Sequence, residues 1–360
     1  GMILISDGLR SAAGGALQRV PERSTGTSLR AFLSGMGLTV LIQSSSATIL
    51  TSIGFVSAGL LSFASALGVI AGANVGTTST GWIVSLLGFK FNIGQVALPF
   101  IGVGGLLRLL FDGRRAHLGM ALAGFGLIFV GIDVLQEGMG DLALRIDLSS
   151  FPATAIASRL LLVLIGSVMT VLLQSSSAAL ALTLTALNNQ AIDLDQSAYL
   201  VIGQNLGVSI YAVWAGIGAS APARRAAVGH IVFNVITGLL AFLSVQTLLR
   251  LVAFFGTVRG GLDPAIAIAL FHTAFNLMGA VLFLSLLNPI SRFLTRLVPD
   301  RGPALTRHLD RTLLRLPSVA LEAAARALNE IAAVTLREAL DLLATRPLGR
   351  EEQEQLQAAD

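Results

Sequence analysis

The 360-residue sequence has no cysteine, which removes disulfides, thiolate metal sites and a cysteine nucleophile from consideration. Lysine is nearly absent as well: Lys90 stands alone, and arginine carries almost all of the positive charge. Charged residues make up only 12% of the chain and the net charge is +4, so its basic character does not point to nucleic acid as a partner. The period-two alternation of an outer-membrane barrel is missing too, which argues against strands. What is present is apolar: 54% of residues are hydrophobic, the mean hydropathy is +0.79, and segments long enough to cross a bilayer follow one another from Ala31 to Leu287. These features predict an all-α polytopic membrane protein with the lipid bilayer as its solvent.

Within this apolar background the run Gln43-Ser44-Ser45-Ser46-Ala47 returns as Gln174-Ser175-Ser176-Ser177-Ala178, 131 positions later. A second pair keeps that offset, Gly72-Ala73-Asn74-Val75-Gly76-Thr77-Thr78 and Gly203-Gln204-Asn205-Leu206-Gly207-Val208-Ser209. The flanks agree as well, Gly35, Thr39, Val40 and Leu41 matching Gly166, Thr170, Val171 and Leu172. Two polar motifs in one register mean an internal duplication. Uncharged hydroxyls and amides inside apolar segments are costly unless something binds there, so the pattern predicts a site built twice and shared between the halves.

Twelve residues of the apolar stretch precede Gln43, a helix of about 18 Å or roughly half of a ~30 Å hydrocarbon core. Segments 31–61 and 160–191 are therefore expected to be re-entrant hairpins with the serines at their tips, the second returning through Asn188-Asn189-Gln190. Segments 66–87 and 198–219 are expected to be helices broken at Gly-x-Asn-x-Gly, a pointer to a transporter site. Further crossings are expected near 91–111, 117–137, 226–249 and 264–288. Aligning Asp7-Gly8 with Glu137-Gly138 leaves the first repeat without a counterpart for most of one span. The stretch Leu9 to Arg30 reads as an interfacial helix and loop.

This layout puts Arg10, Arg19, Arg23, Arg30, Arg108, Arg114, Arg115, Arg224, Arg225, Arg292 and Arg296 on one face. The other receives only Lys90, Arg145, Arg159, Arg250 and Arg259. The rich face is assigned to the cytoplasm of a multi-pass inner cell membrane protein, with both ends of the chain on it. The hairpins then enter from opposite faces, and the two repeats have inverted topology. Residues 1–116 form repeat one, 117–290 repeat two plus a final span, and 291–360 a cytoplasmic juxtamembrane segment. Pro317 to Ala344 is an amphipathic helix that must find a partner for its apolar stripe.

The doubled motifs, with Arg224-Arg225-Ala226-Ala227-Val228-Gly229-His230-Ile231-Val232-Phe233-Asn234 and Phe271-His272-Thr273-Ala274-Phe275-Asn276, resemble the type II sodium-phosphate cotransporter family in its bacterial branch. Leu309 to Pro317 with Ala320-Leu321-Glu322 is similar to the entry into the PhoU-type helical domain that bacterial members often carry. The resemblance implies sodium-coupled movement of inorganic phosphate by alternating access, with sodium as coupling ion and no other cofactor or metal. Neither motif supplies Arg or Lys, so hydroxyls and helix dipoles would hold the anion and sodium would neutralise the rest. That assigns Ser44, Ser45, Ser46, Ser175, Ser176 and Ser177 to phosphate. Gln43, Thr48, Asn74, Thr77, Thr78, Gln174, Asn205 and Ser209 are assigned to sodium. Ala179 in place of Thr48, and Val208-Ser209 in place of Thr77-Thr78, predict unequal contributions from the two halves.

Two other classes fit parts of the pattern. An intramembrane serine hydrolase would pair one serine with His230 or His272, but the serines are tripled and duplicated and no Gly-x-Ser-x-Gly is present. A phosphate-sensing membrane regulator would signal through the C-terminal helix. His230 and His272 each stand beside an asparagine and read as interhelical hydrogen-bonding groups. Asp133 fits an ion role or an interfacial helix end equally, and Lys90 needs only to snorkel. Oligomeric state is not readable, a homodimer being one arrangement.

Overall fold

A computed structural model describes residues 1–13, 26–88, 93–143, 153–217, 219–257, 261–300 and 317–345. The elements are α1 (Met2–Ala13), α2 (Ser28–Ile42), α3 (Ser45–Ser57), α4 (Phe63–Thr77) and α5 (Ser79–Ile83), the last continuing into a π turn at Val84–Gly88. They continue with α6 (Ile93–Leu110), α7 (Gly113–Ala143), α8 (Ile156–Leu173), α9 (Ser176–Asn188), α10 (Leu194–Gly207) and α11 (Ser209–Gly216). Then come α12 (Ala221–Thr257), α13 (Pro264–Ser285), α14 (Leu287–Leu297) and α15 (Pro317–Thr345). Among the described residues there is no strand, as the sequence predicts. Arg19, Arg23, Lys90, Arg145, Arg259, the stretch Leu309 to Leu316 and the tail from Arg350 lie outside the described residues.

Among the described residues, four helices are long and apolar enough to cross a membrane: Gly113–Leu135, Ile156–Leu173, Ala221–Phe254 and Pro264–Ser285. Shorter apolar helices accompany them, among them Ser28–Ile42, Ser45–Ser57 and Ser176–Asn188. Large apolar side chains are exposed and several polar ones are buried. Leu109, Leu172 and Leu243 are more than 70% exposed, whereas Thr48, Ser52, Asn74, Thr170, Asn234 and Asn276 are at most 2% exposed. Exposed leucines of this kind suit an apolar surrounding, and the buried polar groups need partners inside.

The duplication is physical as well as sequential. Both serine-motif breaks place their glutamine in the left-handed conformation, Gln43 at φ 56° and Gln174 at φ 52°. In both, the next serine caps the following helix: Ser44 accepts from the Ala47 amide at 3.3 Å and Ser175 from that of Ala178 at 3.1 Å. The return turns match too. Leu60 N donates to Phe55 O at 2.8 Å with Gly59 at φ 68°, and Ala191 N donates to Ala186 O at 2.9 Å with Gln190 at φ 57°. Then Ser62 caps α4 and Asp193 caps α10, the latter in a capping box with Gln196.

The structure corrects the expected break at Gly-x-Asn-x-Gly. Helix α4 runs unbroken through Gly72, Asn74 and Gly76, and α10 runs through Gly203, Asn205 and Gly207; the breaks come at Thr78 and Val208. The glycines instead let backbones touch. A Cβ on Gly72 would fall on the Phe32 carbonyl oxygen, and one on Gly203 on the Val163 carbonyl oxygen, an equivalent residue pair. Gly35 and Gly166 return the contact against Val69 and Leu200. Helices α2 and α4, and likewise α8 and α10, thus pack backbone against backbone at these glycines. Helix α8 also has 18 residues, about 27 Å, so it is longer than the half-depth limb expected of it.

The amphipathic helix α15 finds its partner on the first half. Val319 and Ala323 are buried among Phe55, Val56, Ala58 and Leu61, and Arg326 donates to Gly59 O at 3.1 Å. Its other face, with Leu321, Leu328 and Leu342, is exposed.

Candidate functional site

The break between α2 and α3 aims Gln43 at the segment after α4. Gln43 Nε2 donates to Val40 O at 2.7 Å and to Ser79 Oγ at 3.0 Å, while Thr80 Oγ1 donates to Gln43 Oε1 at 3.1 Å. Thr80 Oγ1 also lies 3.2 Å from Ser177 Oγ, so one hydroxyl joins the serine motifs of both halves. Ser6 holds the same corner by donating to Gln43 O at 3.1 Å. A cavity of about 230 Å³ opens beside Gln43 and Thr80, walled mainly by Ile5, Val40, Ile83, Phe125 and Ile128. The side chains that hydrogen-bond in this junction, Ser6, Gln43, Ser79, Thr80 and Ser177, are all neutral, and no serine of either motif lines the cavity.

The predicted residues divide by what engages them. Ser44 and Ser175 cap helices, Ser45, Ser46 and Ser176 open α3 and α9, and Ser177 reaches the other half. Thr48 accepts from Thr39 at 3.0 Å and donates to Ser44 O at 3.2 Å. Asn74, Thr77 and Thr78 bond carbonyls of their own helix, Ile70, Ala73 and Val75, at 2.8 to 2.9 Å. Asn205 Nδ2 instead donates across to Asn234 Oδ1 at 3.2 Å, and Asn234 Nδ2 donates to Ser209 Oγ at 3.0 Å. Gln174 is exposed, unlike Gln43.

The inequality of the halves has a physical basis. Where the first half has Ser79 and Thr80 to grip Gln43, the second has Ile210, which cannot bond, and Tyr211, whose hydroxyl donates to Thr170 O at 3.2 Å. Where the first half has Thr48 and Ala73, the second has Ala179 and Gln204, and Gln204 Nε2 donates to Ala179 O at 3.1 Å and Thr183 Oγ1 at 2.7 Å. Residues Ser79, Thr80, Gln204 and Asn234 are not among the sequence candidates. A signal for the first two is present, since Thr77-Thr78-Ser79-Thr80 continues the hydroxyl run. His230 Nε2 pairs with Asn234 at 2.9 Å rather than with a serine. Among the described residues, no group of three His, Asp or Glu side chains could hold a metal.

Residues 1–137 and 139–267 match the Na+/Pi-cotransporter family. The chain belongs to that family. It is 30% identical over 334 residues to the "Putative inorganic phosphate export protein YjbB" of Escherichia coli (strain K12), covering 91% of this chain and 59% of that protein. The Salmonella typhimurium protein of the same name is also 30% identical over 334 residues, with the same coverage. The "Uncharacterized protein YqeW" of Bacillus subtilis (strain 168) is 34% identical over 315 residues, 84% of this chain and 95% of that protein. The chain spans about three fifths of the length of the YjbB relatives. No solved structure matches it. Membership in the Na+/Pi-cotransporter family and the four long apolar helices among the described residues fit a protein of the membrane.

Proposed function

We propose that this chain carries inorganic phosphate across the inner cell membrane, coupled to sodium, by alternating access between two inverted repeats. The Thr80 hydroxyl carries this reading, because it joins Gln43 of one serine motif to Ser177 of the other. Shared between halves, the junction is the place where a motion of one repeat against the other opens or closes a site. In this reading the hairpins 31–61 and 160–191 are re-entrant, Ser44 to Ser46 and Ser175 to Ser177 surround phosphate, and the α3 and α9 N-termini supply N–H donors. Sodium takes the oxygens of Gln43, Thr48, Asn74, Thr77, Thr78, Gln174, Asn205 and Ser209. Both ends of the chain lie in the cytoplasm, and residues 1–116, 117–290 and 291–360 are the working units. Net flux follows the ion gradients, so the same site serves uptake or the export named in the YjbB relatives.

A polyanion with no fixed cation beside it is stable in a low-dielectric site only with its counter-ions, so phosphate and sodium must raise each other's affinity by one factor. Titrating phosphate against the purified protein at several sodium concentrations, with choline holding ionic strength, should move the dissociation constant at least about tenfold, ~1.4 kcal/mol. Proteoliposomes with a sodium gradient should accumulate labelled phosphate. A phosphate affinity indifferent to sodium would overturn the coupling.

A further inference from the structure

We propose that Asn234 and His230 of α12 are positioning residues that orient Asn205 and Ser209 toward a cation, so that the second-repeat cation site is preformed. This rests on the reading above only in taking Asn205 and Ser209 as cation ligands. Asn234 is fully buried and His230 is 1% exposed. The Asn234 carbonyl oxygen accepts from Asn205 Nδ2 at 3.2 Å, and this turns the Asn205 carbonyl oxygen, the atom a cation needs, away from Asn234. The Asn234 amide nitrogen has two protons and two acceptors, Ser209 Oγ at 3.0 Å and His230 Nε2 at 2.9 Å. An amide nitrogen only donates, so with Asn234 in this orientation His230 Nε2 accepts and the ring proton sits on Nδ1, a buried atom with no partner among the described residues. Ser209, acting as acceptor toward Asn234, keeps its own proton and a further lone pair.

The first half has no such support. Asn74 donates to Ile70 O at 2.9 Å and Thr78 to Val75 O at 2.8 Å, both within their own helix. The sequence holds a further His-x-x-x-Asn pair on α13, His272 and Asn276, also buried, but there the Asn276 amide donates to the carbonyl of His272 at 3.0 Å. One of two look-alike pairs is therefore wired across helices to a motif residue, while the amide nitrogen of the other stays within its own helix and Asn276 Oδ1 has no partner among the described residues. Neutral oxygens hold sodium well only when their dipoles are fixed beforehand, and loss of such outer support typically weakens metal binding about 10–100-fold.

The full chain carrying N234A, H230L, H230Q or N276A would be purified and titrated with radioactive 22Na+ by scintillation proximity, with phosphate binding measured at saturating sodium. N234A and H230L are expected to raise the sodium dissociation constant at least about tenfold. H230Q, whose amide oxygen can still accept from Asn234, should stay within about threefold of the parent. N276A, at an equally buried asparagine, should leave sodium affinity within about twofold. In the triple variant N205A/S209A/N234A the sodium constant should be no weaker than in N205A/S209A, since Asn234 acts through those two residues. Phosphate affinity at saturating sodium should move less than about threefold in N234A, a separation that a merely damaged fold would not give. Equal weakening by N234A and N276A, or parent-like sodium binding in N234A, overturns the proposal, as does a parent protein that binds no 22Na+. Phosphate flux indifferent to a sodium gradient would instead count against the coupled-transport reading, and the 22Na+ titration would still decide the role of Asn234.

Discussion

The hydroxyls of Thr80 and Ser177 lie 3.2 Å apart, although 97 residues separate them in sequence. Through this contact the polar end of the first broken helix touches the serine motif of the second half.

Replacing Thr80 by Val keeps its shape and removes both of its interactions, leaving Gln43 Oε1 short of a donor. Uptake of labelled phosphate into proteoliposomes should fall at least about tenfold, the equivalent of one or two lost hydrogen bonds. T80S should recover most of the loss. Parent-like uptake by T80V would remove the junction from the mechanism.

Gly72 and Gly203 should tolerate no side chain, because each faces a carbonyl oxygen of the neighbouring helix. G72A and G203A are expected to force the helix pairs apart, costing about 1–3 kcal/mol, visible as a lowered thermal midpoint and a smaller monodisperse fraction on size exclusion. G105A, where nothing lies within 4 Å, is the control and should be unchanged. A parent-like midpoint in G72A would show that α2 and α4 can separate without penalty.

These glycines also show how far the sequence can be read. Two polar motifs repeated in one register make the duplication and the breaks at Gln43 and Gln174 legible, since a polar run inside an apolar segment is costly to keep and marks where the helix stops. The role of Gly72 and Gly76 is not legible in the same way, because a glycine that breaks a helix and one that admits a neighbouring backbone look alike until the neighbour is known. Asn234 is hidden for a related reason. Its partner Asn205 lies on another helix 29 residues away, and in the same sequence pattern at His272 and Asn276 the amide nitrogen bonds only within its own helix.

The inverted arrangement is open to a direct test, helped by the absence of cysteine. Ser62 and Asp193 cap equivalent helices and both are exposed. S62C and D193C in oriented vesicles should react with an impermeant thiol reagent from opposite faces. Reaction from the same face would show that the repeats are parallel.

Helix α15 covers the turn that closes the first hairpin, with Ala58 fully buried there. Deleting the chain after residue 303 should leave phosphate flux within a few-fold of the parent, because α15 lies outside the duplicated unit. The same deletion should make A58C reactive to a thiol reagent that does not label it in the full chain. Unchanged protection of A58C would mean that α15 is not what shields the turn.

The grip on Gln43 has no mirror image, since Ile210 and Tyr211 offer Gln174 nothing equivalent to Ser79 and Thr80. If the halves exchange roles during a cycle, the two end states cannot be of equal energy, for one of them closes over a latch that the other lacks. Each ~1.4 kcal/mol of that difference is a tenfold bias in resting population. A duplicated chain would in this way have acquired a default orientation, and with it a side of the membrane on which it waits for its substrate.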